Sequence, residues 1–466
     1  MKRKIGVITL ILIMLTVMFT ACAQEQPTVD DTDDPPPAAD EAPPADDEAP
    51  PAQDAGEQEQ VTVVWFAEPM DIDEVDIRMR YLINPFNEAF PHINIELNPT
   101  PDYEQALRVQ MAGGAGPDLC FTGGPTMANE FAAAGMFVDL TDKLDEAGLT
   151  DTIFPWALNA CKFDGRVFSM PDSYEALLLW YNRTMFEEMG WQTPTNYREL
   201  TVLCEAIQDE GLIPIAFGTS DFRVMNEWFV SIIMTNYIGN EGQTSILRGE
   251  MDWNDSLMYS GISLLNDMWQ RGWINERSSH AISGADSDAL FMGQLAAMRL
   301  TGTWTLSNFR AIEDFQYGMT LFPSLREGLP PAMPLGSGGA IGINAASDVI
   351  EESWEILRFW FERTDLMLEA VASGEQPLPV FVDFDDFPKD RMPEIEIEVY
   401  SKMLEAMANP VNLGFALWTN HPPATRLHLA EMIESVFLGE MTVEEYLNEA
   451  QRLFEGERDT VPPIQW

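Results

Sequence analysis

The sequence predicts an α/β fold, because segments with strand and helix patterns alternate along the start of the folded part. Residues 61–66 form an apolar run interrupted only by Thr62, which is typical of a buried strand. A helical pattern covers 73–89, and residues 93–97 then alternate apolar and polar side chains as a second strand. Strands joined through helices pair in parallel, so we expect a parallel sheet with its ligand at the carboxyl ends of the strands.

The alternation continues beyond the second strand. Residues 104–111 have a helical pattern, and the Gly- and Pro-containing turn 113–118 leads into a third strand that ends at Phe121. The carboxyl ends of the first and third strands, 65–69 and 122–125, therefore form the predicted site edge. The clearer helical patterns farther along the chain cover 198–209 and 349–364.

The N-terminus has the features of an export signal. Three basic residues at 2–4 precede an apolar stretch over 5–19, which is too short for a comfortable membrane span. Phe19-Thr20-Ala21-Cys22 resembles the bacterial lipobox, with Phe19 where an aliphatic residue is usual. We therefore predict a lipoprotein signal peptide over 1–22, lipidation of Cys22, and a lipid-anchored protein on the extracellular face of the bacterial cell membrane. An ordinary signal peptide or an uncleaved anchor is the alternative.

Residues 23–60 differ from the rest of the chain in composition. They are rich in Pro and Ala, and they carry thirteen acidic side chains and no basic one. Such a segment buries too little apolar surface to offset the entropy of ordering its backbone. We predict a disordered, extended tether, with the folded body starting at Val61.

The charge of the chain excludes some classes of partner. The formal net charge is −50, and the body after the tether remains strongly acidic. Such a surface repels nucleic acid and anionic lipid headgroups, so no nucleic-acid partner is expected. The acidity does not by itself indicate a cationic ligand.

Cysteine and histidine usage indicates no metal site and no disulfide framework. With Cys22 lipidated, the three cysteines Cys120, Cys161 and Cys204 remain, and an odd number leaves at least one unpaired. Apolar neighbours predict buried free thiols. The spacings match no zinc site, nucleotide-binding loop or nucleophile motif, so neither a cofactor nor a metal is predicted.

An ordered set of motifs resembles the family 1 extracellular solute-binding proteins, the group that contains the maltose-binding proteins. The set spans the whole body, and its order is more specific than any single motif. The matching segments are Gly116-Pro117-Asp118-Leu119, 163–171 (FDGRVFSMP), 179–186 (LWYNRTMF), 193–200 (TPTNYREL), 291–298 (FMGQLAAM) with Gly302 and Trp304, 342–347 (GINAAS) and 437–447 (FLGEMTVEEYL).

The resemblance implies a type II periplasmic-binding-protein fold, in which two α/β lobes enclose a ligand cleft. Each lobe is then discontinuous, because the chain crosses a hinge more than once. We assign 61–172 and 338–384 to the first lobe, 173–337 and 385–456 to the second, and 457–466 to a C-terminal tail. Ligand binding would close the lobes, and the closed form would dock on the permease.

A sugar-binding cleft combines aromatic rings with polar groups, because a pyranose has apolar C–H faces and a rim of hydroxyls. Trp304 and Trp418 lie in segments containing Gly, Thr or Asn, interpreted as loops, which favours ligand contact over core packing. Trp65 ends a strand and is equally consistent with a core position. By chemistry and resemblance, the predicted ligand-binding residues are Trp65, Glu68, Thr122, Tyr174, Glu175, Glu227, Trp228, Trp304 and Trp418.

The predicted function is capture of a sugar or oligosaccharide by a monomer that delivers it to the permease of an ABC importer, without catalysis. A polyamine or another non-sugar solute is an alternative on the same fold. A secreted glycan-active enzyme is a third hypothesis. Such an enzyme needs two carboxylates at a defined separation, but acidic residues are so abundant here that such a pair would occur by chance. Three or more rings standing as flat platforms would favour an oligosaccharide, whereas a narrow cage with several converging carboxylates would favour a polyamine.

Overall fold

The structure is a computed structural model that describes residues 60–407 and 413–460. The predicted signal peptide, the lipidation site Cys22, nearly all of the tether and most of the predicted tail lie outside the described residues. Within the described ranges, no helix has the length and apolar character needed to cross a membrane.

Strands and helices alternate through most of the described chain. The strands are β1 (Val61–Ala67), β2 (Ile93–Pro99), β3 (Leu119–Thr122), β4 (Lys162–Phe163), β5 (Arg166–Val167), β6 (Ser169–Pro171), β7 (Tyr174–Asn182), β8 (Ile213–Ala216), β9 (Ala296–Gly302), β10 (Tyr317–Thr320), β11 (Met333–Ser337), β12 (Ala340–Ile343) and β13 (Leu413–Phe415). The helices are α1 (Ile72–Arg78), α2 (Asn84–Ala89), α3 (Tyr103–Ala112), α4 (Pro125–Ala133), α5 (Thr141–Ala147), α6 (Pro155–Ala160), α7 (Arg183–Met189), α8 (Tyr197–Asp209), α9 (Glu227–Ile233), α10 (Asn240–Leu247), α11 (Ser256–Gln270), α12 (Gly284–Met292), α13 (Leu306–Phe309), α14 (Ile350–Glu362), α15 (Thr364–Ser373), α16 (Glu394–Met407), α17 (Leu417–Asn420), α18 (Pro423–Phe437) and α19 (Val443–Glu457).

The first sheet has the strand order β2-β1-β3-β12-β6. β1 pairs in parallel with both β2 and β3, which confirms the parallel pairing predicted from the sequence. Asp118 fixes the start of β3, because its carboxylate accepts from the Val64 backbone N–H at 2.8 Å and from the Ser347 hydroxyl at 2.6 Å. The pairing brings the ends of β1 and β3 to one edge of the sheet.

The second sheet has the strand order β13-β11-β7-β9-β8, and β10 also pairs with β7. β7 is its long central strand, and all of it except Tyr181 is buried. The parallel pairs β8–β9 and β11–β13 join antiparallel pairs with β7, so this sheet is mixed.

The chain passes between the two sheets after β6, after β11 and between β12 and β13, and the first two of these crossings are adjacent. Asp172 and Ser173 connect β6 to β7, and Gly338 and Gly339 connect β11 to β12. The crossings are hydrogen-bonded to each other: the Asp172 N–H donates to the Gly339 carbonyl at 3.0 Å, and the Gly338 N–H donates to the Ser173 carbonyl at 3.1 Å.

Several local predictions are confirmed. The helix predicted over 73–89 forms as α1 and α2, joined by a wider turn over Met79–Ile83 that precedes Pro85, a residue with no N–H to donate. Cys120, Cys161 and Cys204 are buried free thiols. The interpretation of 413–420 as a loop is wrong, because this segment forms β13 and α17.

Candidate ligand-binding site

A cavity of about 510 Å³ lies beside the two crossings. Elements of the first sheet line one part of it: the segment after β1, the start of α3 and the end of β3. Elements connected with the second sheet line the other part: the start of β7, the start of α9, and the residues Trp304, Trp418 and Arg426. The carboxyl ends of β1 and β3 therefore do reach a shared cavity.

Three tryptophans form one aromatic cluster on the cavity wall. The ring centroids of Trp228 and Trp304 lie 5.0 Å apart, and those of Trp304 and Trp418 lie 6.1 Å apart, with steep tilts between the rings. Trp228 and Trp418 are buried, whereas Trp304 is only partly buried. Trp304 also stacks close over Gly302, where any Cβ would collide with its ring. The two buried rings and this glycine hold Trp304 in place, so it is the ring best placed to offer a face to a ligand.

Further rings come from the other part of the cavity. Tyr103 lies 5.7 Å from Phe121 and 6.4 Å from Phe222 between ring centroids. All three residues line the cavity. The space is therefore bordered by aromatic groups from elements of both sheets, as a flat apolar ligand face requires.

Carboxyl groups surround the same space. Glu68 and Glu74 follow β1, Asp172 lies in the first crossing, Glu175 lies near the start of β7, and Glu375 follows α15. Burial and the carboxylate of Asp172 raise the pKa of Glu68 from 4.5 to about 8. Burial raises the pKa of Asp172 from 3.8 to about 6, and burial together with Glu68 raises that of Glu175 well above its usual range. Part of this cluster is therefore protonated near neutral pH.

A buried ion-pair network closes the end of the cavity at α9 and α18. Arg426 donates two hydrogen bonds of 2.7 Å to the two carboxylate oxygens of Glu227. It also lies 3.5 Å from Glu104, which Arg108 contacts at 3.3 Å. Arg426, Glu227 and Glu104 are each at most 4% exposed, so this network joins α3 to α9 and α18 with little solvent screening.

The structure brings six of the nine predicted site residues to this cavity: Glu68, Glu175, Glu227, Trp228, Trp304 and Trp418. It places the other three elsewhere. Trp65 is 1% exposed in the core and has the Arg78 guanidinium 5.4 Å from its ring. Thr122 donates its hydroxyl to the Ala340 carbonyl at 2.8 Å, which ties β3 to β12. Tyr174 packs edge-on against Phe154 behind the cavity wall.

The strand period explains two of these positions. Successive side chains of a strand point to opposite faces, so Thr122 points away from the cavity that its neighbour Phe121 lines. Trp65 has a different reason: Trp65, Phe66 and Ala67 are all buried, so the chain reaches the cavity only at Glu68. At the start of β7, Tyr174 and Glu175 likewise point in opposite directions, and Glu175 is the one that lines the cavity. Glu175 fits there because Gly338 has no side chain: a Cβ at Gly338 would lie 2.5 Å from its Oε2 atom.

Sequence reasoning missed several lining residues. Asp172 follows the FDGRVFSMP motif directly, so the hinge position of that motif was the available signal. Arg426 is one of few cations in an acidic chain, and it lies just after two prolines that begin α18. Glu375 and Tyr103 carry no local signal, because only the tertiary fold brings the end of α15 and the start of α3 to this place.

The raised carboxyl pKa values predict a pH dependence of stability. A carboxyl group with a raised pKa in the folded state binds protons more strongly there than in the unfolded chain, so its contribution to stability falls as pH rises. For Glu68 this fall spans about pH 4.5 to about 8. We expect Glu68→Gln to gain stability relative to wild type over this range, because glutamine cannot ionise. Melting temperatures of both proteins at several pH values test this, and a difference that does not change with pH would contradict it.

Comparison with known proteins agrees with this architecture. The family model for bacterial extracellular solute-binding proteins matches residues 73–364. A multiple sugar-binding protein of Streptococcus mutans is 22% identical over 309 residues, covering 65% of this chain and 71% of that protein. A maltotriose-binding protein of Pyrococcus abyssi is 26% identical over 147 residues, covering 32% of this chain and 30% of that protein.

Solved structures share the fold at low identity. A chitin oligosaccharide binding protein matches with a TM-score of 0.73 and 20% identity, covering 86% of this chain and 99% of that chain. The solute-binding protein RafE in complex with raffinose matches with a TM-score of 0.67 and 18% identity, covering 86% and 100%. The fold is thus that of the type II periplasmic binding proteins. The chain belongs to the family of bacterial extracellular solute-binding proteins.

Proposed function

We propose that this protein captures a saccharide in the cavity beside the two crossings and delivers it to the permease of an ABC importer. The observation that carries the proposal is the partly exposed ring of Trp304, fixed by Trp228 and Trp418 and bordered by carboxyl groups. This arrangement pairs an apolar platform for a sugar face with hydrogen-bonding groups for its hydroxyls. The sugar-binding relatives named above support the same ligand class.

The adjacent crossings support a hinge. Two short connections, 172–173 and 338–339, are bonded to each other and link the two sheets. Rotation about them would bring the two parts of the cavity wall together around a ligand. The lobe boundaries remain those proposed from the sequence, 61–172 with 338–384 and 173–337 with 385–456.

The cellular setting completes the proposal. A lipid on Cys22 would hold a monomer at the extracellular face of the membrane, with 23–60 as a tether long enough to reach the permease. The protein would bind its ligand without chemical change, as its relatives are named for binding. Palmitate labelling of the wild type and of Cys22→Ser in a bacterial host tests the anchor, and equal labelling of both would contradict it.

A thermal-shift screen of the body from Val61 onward tests the ligand class. Compounds that bind only the folded state raise the melting temperature by mass action. We expect shifts with one group of saccharides and none with peptides. Shifts with linear polyamines alone would overturn the saccharide proposal, and the carboxyl groups of the cavity make polyamines its main competitor.

A further inference from the structure

Carboxyl groups are concentrated at the cavity beyond the general acidity of the chain. Nine of the 24 residues that line it are Asp or Glu. In the whole chain, 76 of 466 residues are acidic. Among the lining residues only Arg426 is a cation, and Glu227 already occupies it through two hydrogen bonds. The cavity therefore has a local deficit of positive charge.

Two of these carboxyl groups are deeply buried without a cation of their own. Asp172 is 9% exposed and Glu175 is 6% exposed, and within the described residues neither forms an ion pair or accepts a hydrogen bond from a basic side chain. Arg78 is the cation nearest to Asp172, but its ion pair is with Glu375 at 3.4 Å. The indole N–H of Trp418 counteracts part of the rise in the Glu175 pKa, but within the described residues it forms no hydrogen bond with that carboxyl group.

Buried carboxyl groups in this situation are costly when ionised. Burial and the repulsion between neighbouring carboxylates raise the pKa values of Glu68, Asp172 and Glu175, and the attraction of Arg78 for Glu68 and Asp172 does not offset this. A ligand hydroxyl would leave the charge deficit unchanged. A ligand ammonium group would supply the missing charge and allow these groups to ionise as hydrogen-bond acceptors.

The other sources of positive charge fit less well. Within residues 60–407 and 413–460, no group of three or more His, Cys, Asp or Glu side chains could hold a metal ion. A linear polyamine would satisfy the carboxylates but would use little of the flat apolar face of Trp304. An amino sugar uses both, since its ring faces stack on indole and its ammonium group meets the carboxylates.

We propose that the ligand is a saccharide with a free amino group, bound as its ammonium form next to Asp172 and Glu175. This inference rests on the proposed saccharide-binding function and specifies its substrate class. The amine would lie where α1, the first crossing and the start of β7 meet, facing the charged groups of Glu68, Glu74, Arg78, Asp172, Glu175 and Glu375.

Isothermal titration calorimetry with matched sugars tests the inference. The probes are glucosamine, galactosamine and the glucosamine di- and trisaccharides. Each is compared with its hydroxyl analogue and with its N-acetylated form. We expect the amine to bind at least about tenfold more tightly than either neutral partner. We also expect proton release near pH 6.5, seen as a binding enthalpy that changes with the ionisation enthalpy of the buffer, because carboxyl groups lose protons when the ammonium binds.

Two variants test whether Asp172 and Glu175 cause the tighter binding of amino sugars. Asp172→Asn and Glu175→Gln should each reduce the amine preference severalfold and decrease the proton release. Asp164→Asn is the matched control, because Asp164 does not line the cavity, is exposed and has a left-handed backbone (φ 49°) that asparagine also adopts. It should keep the preference within about twofold.

The outcomes separate this inference from the proposed function. If neutral sugars bind as tightly as their amino analogues, the inference that the ligand carries a free amino group is wrong. The proposed capture of a saccharide would remain. Spermidine binding without binding of any saccharide would overturn both. Failure of every amino sugar to bind would also overturn the inference, whatever neutral sugar is found to bind.

Discussion

Arg426→Met is expected to lower the free energy of unfolding by about 3–5 kcal/mol, the usual cost of removing one partner from a buried ion pair. The methionine fills much of the same volume, but Glu227 loses both of its hydrogen bonds and Glu104 loses a neighbouring charge. In the intact protein both carboxyl groups are at most 4% exposed, so water solvates them poorly once the guanidinium is lost. Urea unfolding of the ligand-free protein measures the change.

Arg452→Met is the control for this prediction. Arg452 also forms two hydrogen bonds with one glutamate, Glu449, at 2.8 and 2.5 Å, but its side chain is 65% exposed. We expect its loss to change the free energy of unfolding by less than about 1 kcal/mol. Equal effects of the two substitutions would show that burial of the Arg426 network is not what makes it important.

Trp304→Ala is expected to weaken saccharide binding by at least about tenfold, because it removes the partly exposed ring of the aromatic cluster. The melting temperature should fall less than for Trp418→Ala, since Trp418 is 3% exposed and its loss leaves a cavity in the core. Calorimetric titration with the saccharide that gives the largest thermal shift measures the affinity.

Trp191→Ala controls for the general loss of a tryptophan. Trp191 is also partly buried, but it packs edge-on against Phe186 at 5.7 Å and does not line the cavity. Its replacement should leave saccharide affinity unchanged. Normal binding by Trp304→Ala would assign Trp304 a packing role, and the platform would then have to be one of the other rings.

The fold could be predicted largely because its first elements carry clear local patterns. The apolar run at β1, the alternation at β2 and the Asp118 turn before β3 are each contained within a few residues, and the order of the motifs extends the prediction along the body. The second sheet was harder to predict from the sequence. The segment that forms β13 and α17 was interpreted as a loop, because the Gly, Thr and Asn residues around Trp418 are typical of loops.

The site could be predicted in its chemistry but only partly in its members. Trp304 and Glu175 each lie next to a recognisable sequence motif. Glu375 and Arg426 line the cavity only because elements far apart in the chain come together there. Trp65 shows the other limit. It lies near the end of a strand as predicted, but both faces of this strand end are buried, so neither Trp65 nor Phe66 reaches the cavity.

A crystal structure of the body with its saccharide bound tests the central claim most directly. We predict a sugar ring stacked on Trp304 within about 4 Å, enclosed by residues from both sheets and hydrogen-bonded to Asp172 or Glu175. A ligand bound outside this cavity, or bound within it without contact to the tryptophan cluster, would contradict the account.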